Sequence, residues 1–290
     1  MVESMIDSQV PTKGAATAQA EPEGVAGLYD SPEGQLGPIL FGGHLHWGYW
    51  DEAHAADDFA TAADRLAQIM IDKTRIGAGE RFVDLGCGVG QPAVKLAKAK
   101  GCSVDGITIS KFQQESATAR AQAEGLADRL HFIHGSALAL ACADQTYDGG
   151  WFFESIFHMG HREALAEAAR VLKPGATLVL TDLPVLPTTT EEFMGFVRQH
   201  IHSGFIAKED YPRLMANAGL ELLQIDDITA NVMPWLVPKL KDAIAQHRGK
   251  VDEVMGANAE KAIDDWLYLF EYMSENLGYM VVTARKRPAA

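Results

Sequence analysis

Apolar and polar residues alternate along this chain with two different periods. Between residues 58 and 76 the apolar positions recur every three or four residues, which predicts an amphipathic helix. From residue 81 onward, short β-rich runs alternate with helical runs. Strands are predicted at Arg81–Leu85, Ser103–Ile109, Leu130–His134, Tyr147–Phe153 and Thr177–Leu183, with helices at Gln91–Lys100, Phe112–Gly125 and Arg162–Leu172. This alternation predicts an α/β fold in which a doubly wound parallel sheet carries helices on both faces.

The two ends of the chain follow other patterns. Residues 1–24 are rich in Ala, Thr, Gln, Glu and Pro and lack a sustained apolar period, so we expect a disordered tail. Beyond Pro187 the pattern predicts helices at Glu191–His202, Lys208–Ala218, Trp235–Gln246 and Ala259–Glu275, and strands at Leu220–Asp226 and Tyr279–Arg285. The sequence therefore predicts a helical insertion after the fifth strand of the sheet.

Composition narrows the class of protein. The 290 residues include 25 Lys and Arg against 39 Asp and Glu, a formal charge of −14, which argues against nucleic acid as a partner. The three cysteines, Cys87, Cys102 and Cys142, have no short paired spacing, so neither a disulfide framework nor a structural zinc site is predicted. No apolar run approaches the roughly 18–20 residues that cross a bilayer, and Glu3 and Asp7 stand where a secretory signal would be basic. We expect a cytoplasmic protein with no membrane contact.

A glycine-rich turn follows the first predicted strand of the core. Residues 82–90 read Phe-Val-Asp-Leu-Gly-Cys-Gly-Val-Gly and lead into a predicted helix. Glycines at such a turn let backbone N–H groups approach a nucleotide at the carboxyl edge of the sheet. Because Gly86, Gly88 and Gly90 fall as G-x-G-x-G, and a dinucleotide loop needs G-x-G-x-x-G, the spacing favours a ligand without a pyrophosphate. Asp84, at the end of the strand, can accept a hydrogen bond from a ligand ammonium or hold the loop through its backbone.

This run resembles the first motif of the class I S-adenosylmethionine-dependent methyltransferases, and the resemblance covers most of residues 80–185. It implies a Rossmann-like core that binds S-adenosylmethionine. Members of that family commonly hold the ribose with an acid after the second strand, where this chain has Thr108. Thr108 and Gln113 resemble the variant run found in relatives of sterol and cyclopropane-forming methyltransferases, and a hydroxyl binds less strongly than a charged group. Alternation along the strand directs Asp105 elsewhere.

A narrower resemblance links two aromatic segments to natural-product methyltransferases. Residues 43–50, Gly-His-Leu-His-Trp-Gly-Tyr-Trp, and residues 154–159, Glu-Ser-Ile-Phe-His-Met, are similar to segments of rebeccamycin-type sugar O-methyltransferases and prenyl diphosphate C-methyltransferases. In that group the N-terminal aromatic segment folds over the cofactor. The resemblance implies that Tyr29, Trp47 and Tyr49 belong to such a lid.

The two resemblances together imply a set of ligand contacts and a domain organisation. The implied cofactor contacts are Tyr29, Trp47, Asp84, Gly86, Gly88, Gly90, Gln91, Thr108, Gln113, Ser136, Ala137 and Phe153, with Ser136 in place of the acid common beside the adenine. The implied substrate contacts are Phe41, His46, Tyr49, Phe157, Arg198 and His202. We expect a tail at 1–24, a helical and aromatic lid at 25–76, a core that binds S-adenosylmethionine at 77–186, a substrate-covering insertion at 187–219, and C-terminal strands and cover helices at 220–290.

The loop after the fourth strand decides which atom accepts the methyl group. The sugar O-methyltransferases resembled here have two adjacent histidines in this loop and an aspartate after the next strand; this chain keeps His158 and Asp182 but has Phe157 in the first histidine position. The resembled C-methyltransferases use a glutamate that corresponds to Glu154. An alkene acceptor needs an apolar pocket that tolerates a carbocation. Because Phe157 puts an aromatic ring where the sugar enzymes have a histidine, the sequence favours C-methylation of an isoprenoid diphosphate. The alternative is O-methylation of a sugar or polyketide hydroxyl, with His158 as general base and Asp182 orienting it.

A diphosphate substrate would also need cations. The helical insertion offers Arg198, His200, His202, Lys208 and Arg213 as a possible anion pocket. No metal ligands are predicted, and Mg²⁺ would enter only with a diphosphate substrate.

Two other functional classes compete with methyl transfer. A nicotinamide oxidoreductase is disfavoured by the glycine spacing and by Thr108. A binding or scaffold protein could keep the fold without chemistry, although the intact glycine loop weighs against it. We expect a monomer or homodimer that acts on a small, largely apolar metabolite.

Overall fold

A single sheet organises residues 22–288, the part of the chain that the computed structural model describes. Its seven strands are β1 (Arg81–Leu85), β2 (Ser103–Thr108), β3 (Leu130–His134), β4 (Tyr147–Phe152), β5 (Leu172–Asp182), β6 (Leu220–Asp227) and β7 (Met280–Lys286). They lie in the order β3-β2-β1-β4-β5-β7-β6. The reversal of strand order beside β1 places the glycine turn at the position where doubly wound sheets bind ligands. The predicted α/β class is confirmed.

The last strand departs from the predicted parallel sheet. β7 lies between β5 and β6 and is antiparallel to both, with Leu180 paired to Val282 and Ile225 also paired to Val282. The first five strands are parallel. The sheet is therefore mixed. Strand-helix alternation fixes the direction of the first five strands through crossovers, but it says nothing about a strand that returns after two long helices.

Helices cover both faces of the sheet. They are α1 (Pro22–Asp30), α2 (Leu36–Leu40), α3 (Phe59–Lys73), α4 (Gln91–Lys100), α5 (Lys111–Ala123), α6 (His161–Val171), α7 (Glu191–His200), α8 (Tyr211–Asn217), α9 (Thr229–Val232), α10 (Leu236–Met255) and α11 (Ala259–Asn276). Successive strand residues point to opposite faces, so Phe82 and Trp151 join one hydrophobic core while Val83 and Phe152 join the other. Among these helices, none combines the length and apolar character needed to cross a bilayer.

Several predicted boundaries are wrong. Strand β5 begins at Leu172 and not at Thr177. The predicted tail extends to residue 24, but α1 begins at Pro22; residues 1–21 lie outside the described part of the chain. Helix α10 continues beyond Gln246 to Met255 and ends at Gly256, which has a φ of 53°. The predicted helix at 208–218 is α-helical only over α8, because Pro212 favours the first turn of a helix and a 3₁₀ turn precedes it.

Asp58 starts α3, the helix that packs Leu66 and Met70 into the core. Its carboxylate accepts a hydrogen bond from the Thr61 backbone N–H at 2.8 Å. We expect Asp58→Ala to lower the free energy of unfolding by about 1 kcal/mol, because the first turn of the helix loses its cap. The hydrogen bond from Thr61 also lowers the pKa of Asp58. The stabilisation should therefore be complete above the pKa of the unfolded carboxyl and disappear as the pH falls through the lower folded value.

Urea denaturation of both proteins at about pH 7 and about pH 3 measures this effect. Asp72→Ala is the matched control, since Asp72 is an exposed acid of the same helix that bonds only the Gln68 side chain. An equal loss in both variants would contradict the capping role.

Candidate active site

The glycine turn after β1 forms one wall of a cavity. Gly86 has a φ of 94° and Gly88 a φ of 52°, in the left-handed region that favours glycine. A Cβ on Gly86 would lie 2.4 Å from the Ser155 Cβ, and one on Gly88 would lie 2.8 Å from a methyl group of Leu45. The turn therefore brings bare backbone against the loop after β4 and against the segment that precedes α3.

The cavity holds about 800 Å³ of empty space, including its open mouth. It is lined by Val25, Tyr29, Leu45, Gly86, Gly88, Ile107, Thr108, Ile109, Gln113, Gly135, Ser136, Ala137, Leu138, Phe153, Glu154, Ser155, His158 and Met159. Eight of the predicted cofactor contacts are in this lining: Tyr29, Gly86, Gly88, Thr108, Gln113, Ser136, Ala137 and Phe153. The ends of β1, β2, β3 and β4 thus contribute to one continuous space.

Asp84 lies behind the glycine turn and lines a smaller adjoining cavity of about 300 Å³. The side chain is 1% exposed, and its Oδ1 has no hydrogen-bond partner within residues 22–288. Burial raises the pKa of Asp84 to about 7, and the Trp151 indole opposes this rise. A buried carboxylate oxygen without a partner is costly unless a donor arrives. The residues therefore fit the ammonium of an amino-acid ligand such as S-adenosylmethionine.

The end of β2 carries a hydroxyl, Thr108, and the first turn of α5 carries an amide, Gln113. The Thr108 hydroxyl donates to Gln113 Oε1 at 2.7 Å, and both side chains line the cavity. Asp105 points away from it and accepts from Arg81 at 2.7 Å and from the Tyr147 hydroxyl at 2.9 Å. The expectation that alternation directs Asp105 elsewhere is confirmed. The Thr108 hydroxyl and the Gln113 amide can form hydrogen bonds with ribose hydroxyls, although neither group is charged.

Three predicted cofactor contacts lie behind the cavity wall. The Trp47 indole packs beside Phe270 and Tyr279, although its backbone N–H donates to Glu154 Oε1 at 2.7 Å. Gly90 caps α4, where an added Cβ would lie 2.8 Å from the Phe132 ring. The remaining one, Gln91, accepts a hydrogen bond from Arg120. All three are outside the lining of the large cavity, and of them Trp47 supports a lining residue, Glu154.

His158, in the loop after β4, forms a hydrogen bond with Tyr29 of α1. The Tyr29 hydroxyl lies 3.0 Å from His158 Nε2, while Nδ1 lies 3.2 Å from the His202 carbonyl oxygen and 3.1 Å from the Ser203 hydroxyl. Because a carbonyl oxygen can only accept, Nδ1 carries the proton and Nε2 is the acceptor. Burial lowers the pKa of His158 to about 4. The imidazole is therefore neutral at physiological pH and presents its lone pair toward Tyr29.

Glu154 is a half-buried acid in a strained conformation. Its φ of 48° is rare for a residue with a side chain, and its N–H donates to the Thr181 hydroxyl at 2.8 Å. Its Oε1 accepts from the Trp47 N–H and from the Tyr279 hydroxyl. Burial raises the pKa of Glu154 to about 8, against the opposing effect of these two donors. Non-glycine strain of this kind commonly marks a functional residue.

Asp182 does not orient His158, contrary to the sequence-based alternative. It is fully buried at the end of β5 and accepts from His161 Nε2 at 2.7 Å and from the Tyr211 hydroxyl at 2.6 Å. These contacts fix the first residue of α6 and the first residue of α8, so the aspartate joins the end of the loop after β4 to α8. His161, Tyr211 and Tyr279 were missed because their partners lie 21 to 125 residues away along the chain.

The predicted substrate contacts are dispersed. His46 stacks on Phe153 with ring centroids 3.8 Å apart, and both of its nitrogens are engaged, one with His44 and one with the Trp47 carbonyl. Phe41 stacks on Phe59 inside the core at 4.1 Å. Tyr49 is half-buried against the same core. Phe157 packs on His158 and Phe205.

The predicted anion pocket does not form. Arg198 is exposed on α7, and His202 contributes its backbone carbonyl to His158. Lys208 pairs with Asp227 at 2.8 Å, and Arg213 pairs with Asp210 at 3.0 Å. Among the residues described, neither cavity has a Lys or Arg in its lining. Charges on amphipathic helices here face solvent and local acids.

Known proteins are similar to this chain in sequence and in architecture. A family model described as a methyltransferase domain matches residues 82–175. Methyltransferase GfsG of Streptomyces halstedii is 33% identical over 265 residues, covering 90% of this chain and 93% of that protein. The (+)-O-methylkolavelool synthase of Herpetosiphon aurantiacus is 33% identical over 269 residues, covering 91% and 93%. The crystal structure of the cyclase SpnF superposes with a TM-score of 0.80 at 26% identity and covers 95% of this chain and 100% of that one.

Proposed function

Since this chain belongs to the class I S-adenosylmethionine-dependent methyltransferases of natural-product type, we propose that it methylates a hydroxyl oxygen of a small, largely apolar metabolite. One observation carries the proposal: the neutral His158 imidazole directs Nε2 toward the Tyr29 hydroxyl, and both side chains line the cavity. A hydroxyl acceptor requires such a base because its proton must leave. One relative is named for an O-methyl product, which agrees with this choice.

Tyr29 and His158 can act together on the acceptor. Bound S-adenosylmethionine supplies an electrophilic methyl group. Tyr29 accepts the acceptor proton at its hydroxyl oxygen as its own proton passes to His158 Nε2, 3.0 Å away. The imidazolium that results is stabilised at Nδ1 by the His202 carbonyl, 3.2 Å away. The acceptor oxygen thus gains the electron density it needs, while the surrounding apolar wall excludes water.

Helix α1 completes this arrangement, and we propose that it serves as a lid. Tyr29 lies on α1, and the next residue, Asp30, hydrogen-bonds to the Ser110 hydroxyl at the start of α5. Leu45, in the segment before α3, covers Gly88. We propose that helices of the 187–219 insertion and of residues 220–290 cover the acceptor. Closing α1 would then bring the proton acceptor and the cavity roof into place in one step.

The sequence-based alternative is C-methylation of an isoprenoid diphosphate, with Glu154 as base, and it stays a prediction. One observation favours oxygen over it. The cavity lining described here has no Lys or Arg that could bind a diphosphate. Mg²⁺ would enter only if the acceptor were a diphosphate.

A matched pair of acceptors tests the proposal. Each candidate metabolite contains both a hydroxyl group and an alkene. It is assayed with S-adenosylmethionine in parallel with its deoxy analogue, which keeps the alkene and lacks the hydroxyl. We expect turnover of the alcohol alone, and we expect Tyr29→Phe to lower its kcat by about 10–100-fold because the proton relay is interrupted. Turnover of the deoxy analogue at the rate of the alcohol would show that carbon is the acceptor.

A further inference from the structure

The two carboxylate oxygens of Glu154 have different surroundings. Oε1 accepts hydrogen bonds from the Trp47 backbone N–H and from the Tyr279 hydroxyl. Oε2 makes no hydrogen bond within residues 22–288, although the side chain lines the large cavity. The protein therefore holds one oxygen firmly and leaves the other for a ligand.

The walls around this oxygen carry no positive charge. Among the described lining residues of both cavities the acids are Asp84 and Glu154, and the histidines are His46 and His158. Burial lowers the pKa of both histidines, so they are neutral. A half-buried carboxylate that is largely shielded from water is unfavourable in its charged form when no cation is near. A cationic ligand is the missing complement.

The backbone holds Glu154 in place for such a ligand. The N–H of Glu154 bonds the Thr181 hydroxyl of β5, at a φ of 48° that the chain would otherwise avoid. Tyr279, immediately before β7, and the Trp47 segment grip the side chain from two further directions. Three separate parts of the fold thus position one carboxylate.

We propose that Glu154 is the counter-ion of the donor sulfonium and makes the cavity discriminate S-adenosylmethionine from S-adenosylhomocysteine. The two ligands share the adenosine, the ammonium and the carboxylate, and differ by the methyl group and its positive charge. The inference rests on the methyl donor of the proposed function and is independent of which acceptor atom is methylated. Loss of the charge on methyl transfer leaves Glu154 without its partner, which favours release of the product.

Binding of the donor is then linked to a proton. In the free protein burial raises the pKa of Glu154 to about 8, so the group is mostly protonated at neutral pH. A nearby positive charge lowers that pKa, so the donor displaces the proton and its affinity rises with pH, whereas the product displaces none at this site. The other titratable groups around Glu154 are Tyr29 on α1, Tyr279 before β7, and His158 in the same loop. Asp84 of the adjoining cavity, whose pKa burial raises to about 7, meets the same ammonium in both ligands, so its protons cancel in the difference between them. Burial raises the pKa of both tyrosines, so neither competes for the proton near neutrality.

Calorimetric titration of the full chain in two buffers of different ionisation enthalpy measures the protons exchanged. Near pH 7 we expect S-adenosylmethionine to release about one proton more than S-adenosylhomocysteine. In Glu154→Gln this difference should vanish, and the preference for the charged ligand should fall about tenfold or more. Glu115→Gln, an exposed acid of α5, should behave as the wild type.

Tyr279→Phe provides a second test that keeps the carboxylate. The Tyr279 hydrogen bond lowers the pKa of Glu154, so its loss should shift the extra proton release to higher pH. Equal proton release for both ligands in the wild type, an unchanged preference in Glu154→Gln, or an unshifted onset in Tyr279→Phe would overturn the proposal. Discovery of a C-methylated product would refute the proposed oxygen acceptor and leave these titrations unaffected.

Discussion

Replacement of His158 by Gln is expected to lower kcat by about 10²–10⁴-fold, the usual contribution of a general base. Gln fills much of the same space but offers no basic nitrogen to Tyr29, which lies 3.0 Å from Nε2 in the native protein. Cofactor affinity should change little, because Asp84, Thr108 and Gln113 are untouched. Steady-state kinetics with the cognate alcohol, combined with calorimetric titration of S-adenosylmethionine, measures both quantities.

His131→Gln is the matched control, since His131 is an exposed histidine on β3 that pairs with Asp105. It should leave kcat within a factor of about two, as expected for a surface site. A His158→Gln enzyme that keeps native kcat would remove the imidazole from the mechanism.

The dependence of kcat on pH tests independently whether His158 is the general base. A general base works in its neutral form, and burial lowers the pKa of His158 to about 4. The ionisation of His158 should therefore leave kcat constant from about pH 5 upward and reduce it only in more acidic buffer. A loss of kcat with a midpoint near the ordinary histidine value of about 6.5 would contradict a buried, neutral base.

Substitution of Gly86 by Ala is expected to weaken cofactor binding strongly and to destabilise the fold. The new Cβ would lie 2.4 Å from the Ser155 Cβ at a φ of 94°. Crowding and left-handed strain together should cost about 2–4 kcal/mol of unfolding free energy. Displacement of the loop after β4 should weaken S-adenosylmethionine binding by at least about 100-fold, since each tenfold corresponds to about 1.4 kcal/mol. Thermal denaturation and calorimetry measure the two effects.

Gly175→Ala separates strain from contact. Gly175 also has a positive φ, of 85°, but an added Cβ there meets nothing within 4 Å. We expect a modest loss of stability, about 1–2 kcal/mol, with full cofactor affinity. Equal cofactor affinities in the two variants would mean that the close approach of Gly86 to Ser155 is not needed for binding.

The sequence predicts those parts of the fold that depend on local periodicity. β1, β3 and α4 begin and end at the predicted residues, because a glycine directly follows each apolar pattern: Gly86, Gly135 and Gly101. The direction of β7 could not be predicted, since its place between β5 and β6 depends on packing across more than 50 residues. Local pattern gives the element, and tertiary packing gives its neighbours.

The candidate site divides in the same way. Glycine spacing and the Thr108–Gln113 pair could be located because each lies within one strand-turn-helix unit. The contact of Glu154 with Tyr279 spans 125 residues, and that of His158 with Tyr29 spans 129. Asp182 was paired with His158 from resemblance alone, whereas packing pairs it with His161. Local sequence patterns do not predict these side-chain contacts, because tertiary packing brings the paired residues together.

If oxygen receives the methyl group, the position of the transferred carbon in the product shows it directly. The full chain is incubated with ¹³C-methyl S-adenosylmethionine and its acceptor, and the labelled carbon of the product is located by NMR through its correlations to neighbouring atoms. We expect a methyl group whose only carbon correlation crosses an ether oxygen. A methyl group bonded to a carbon atom of the acceptor skeleton would contradict it.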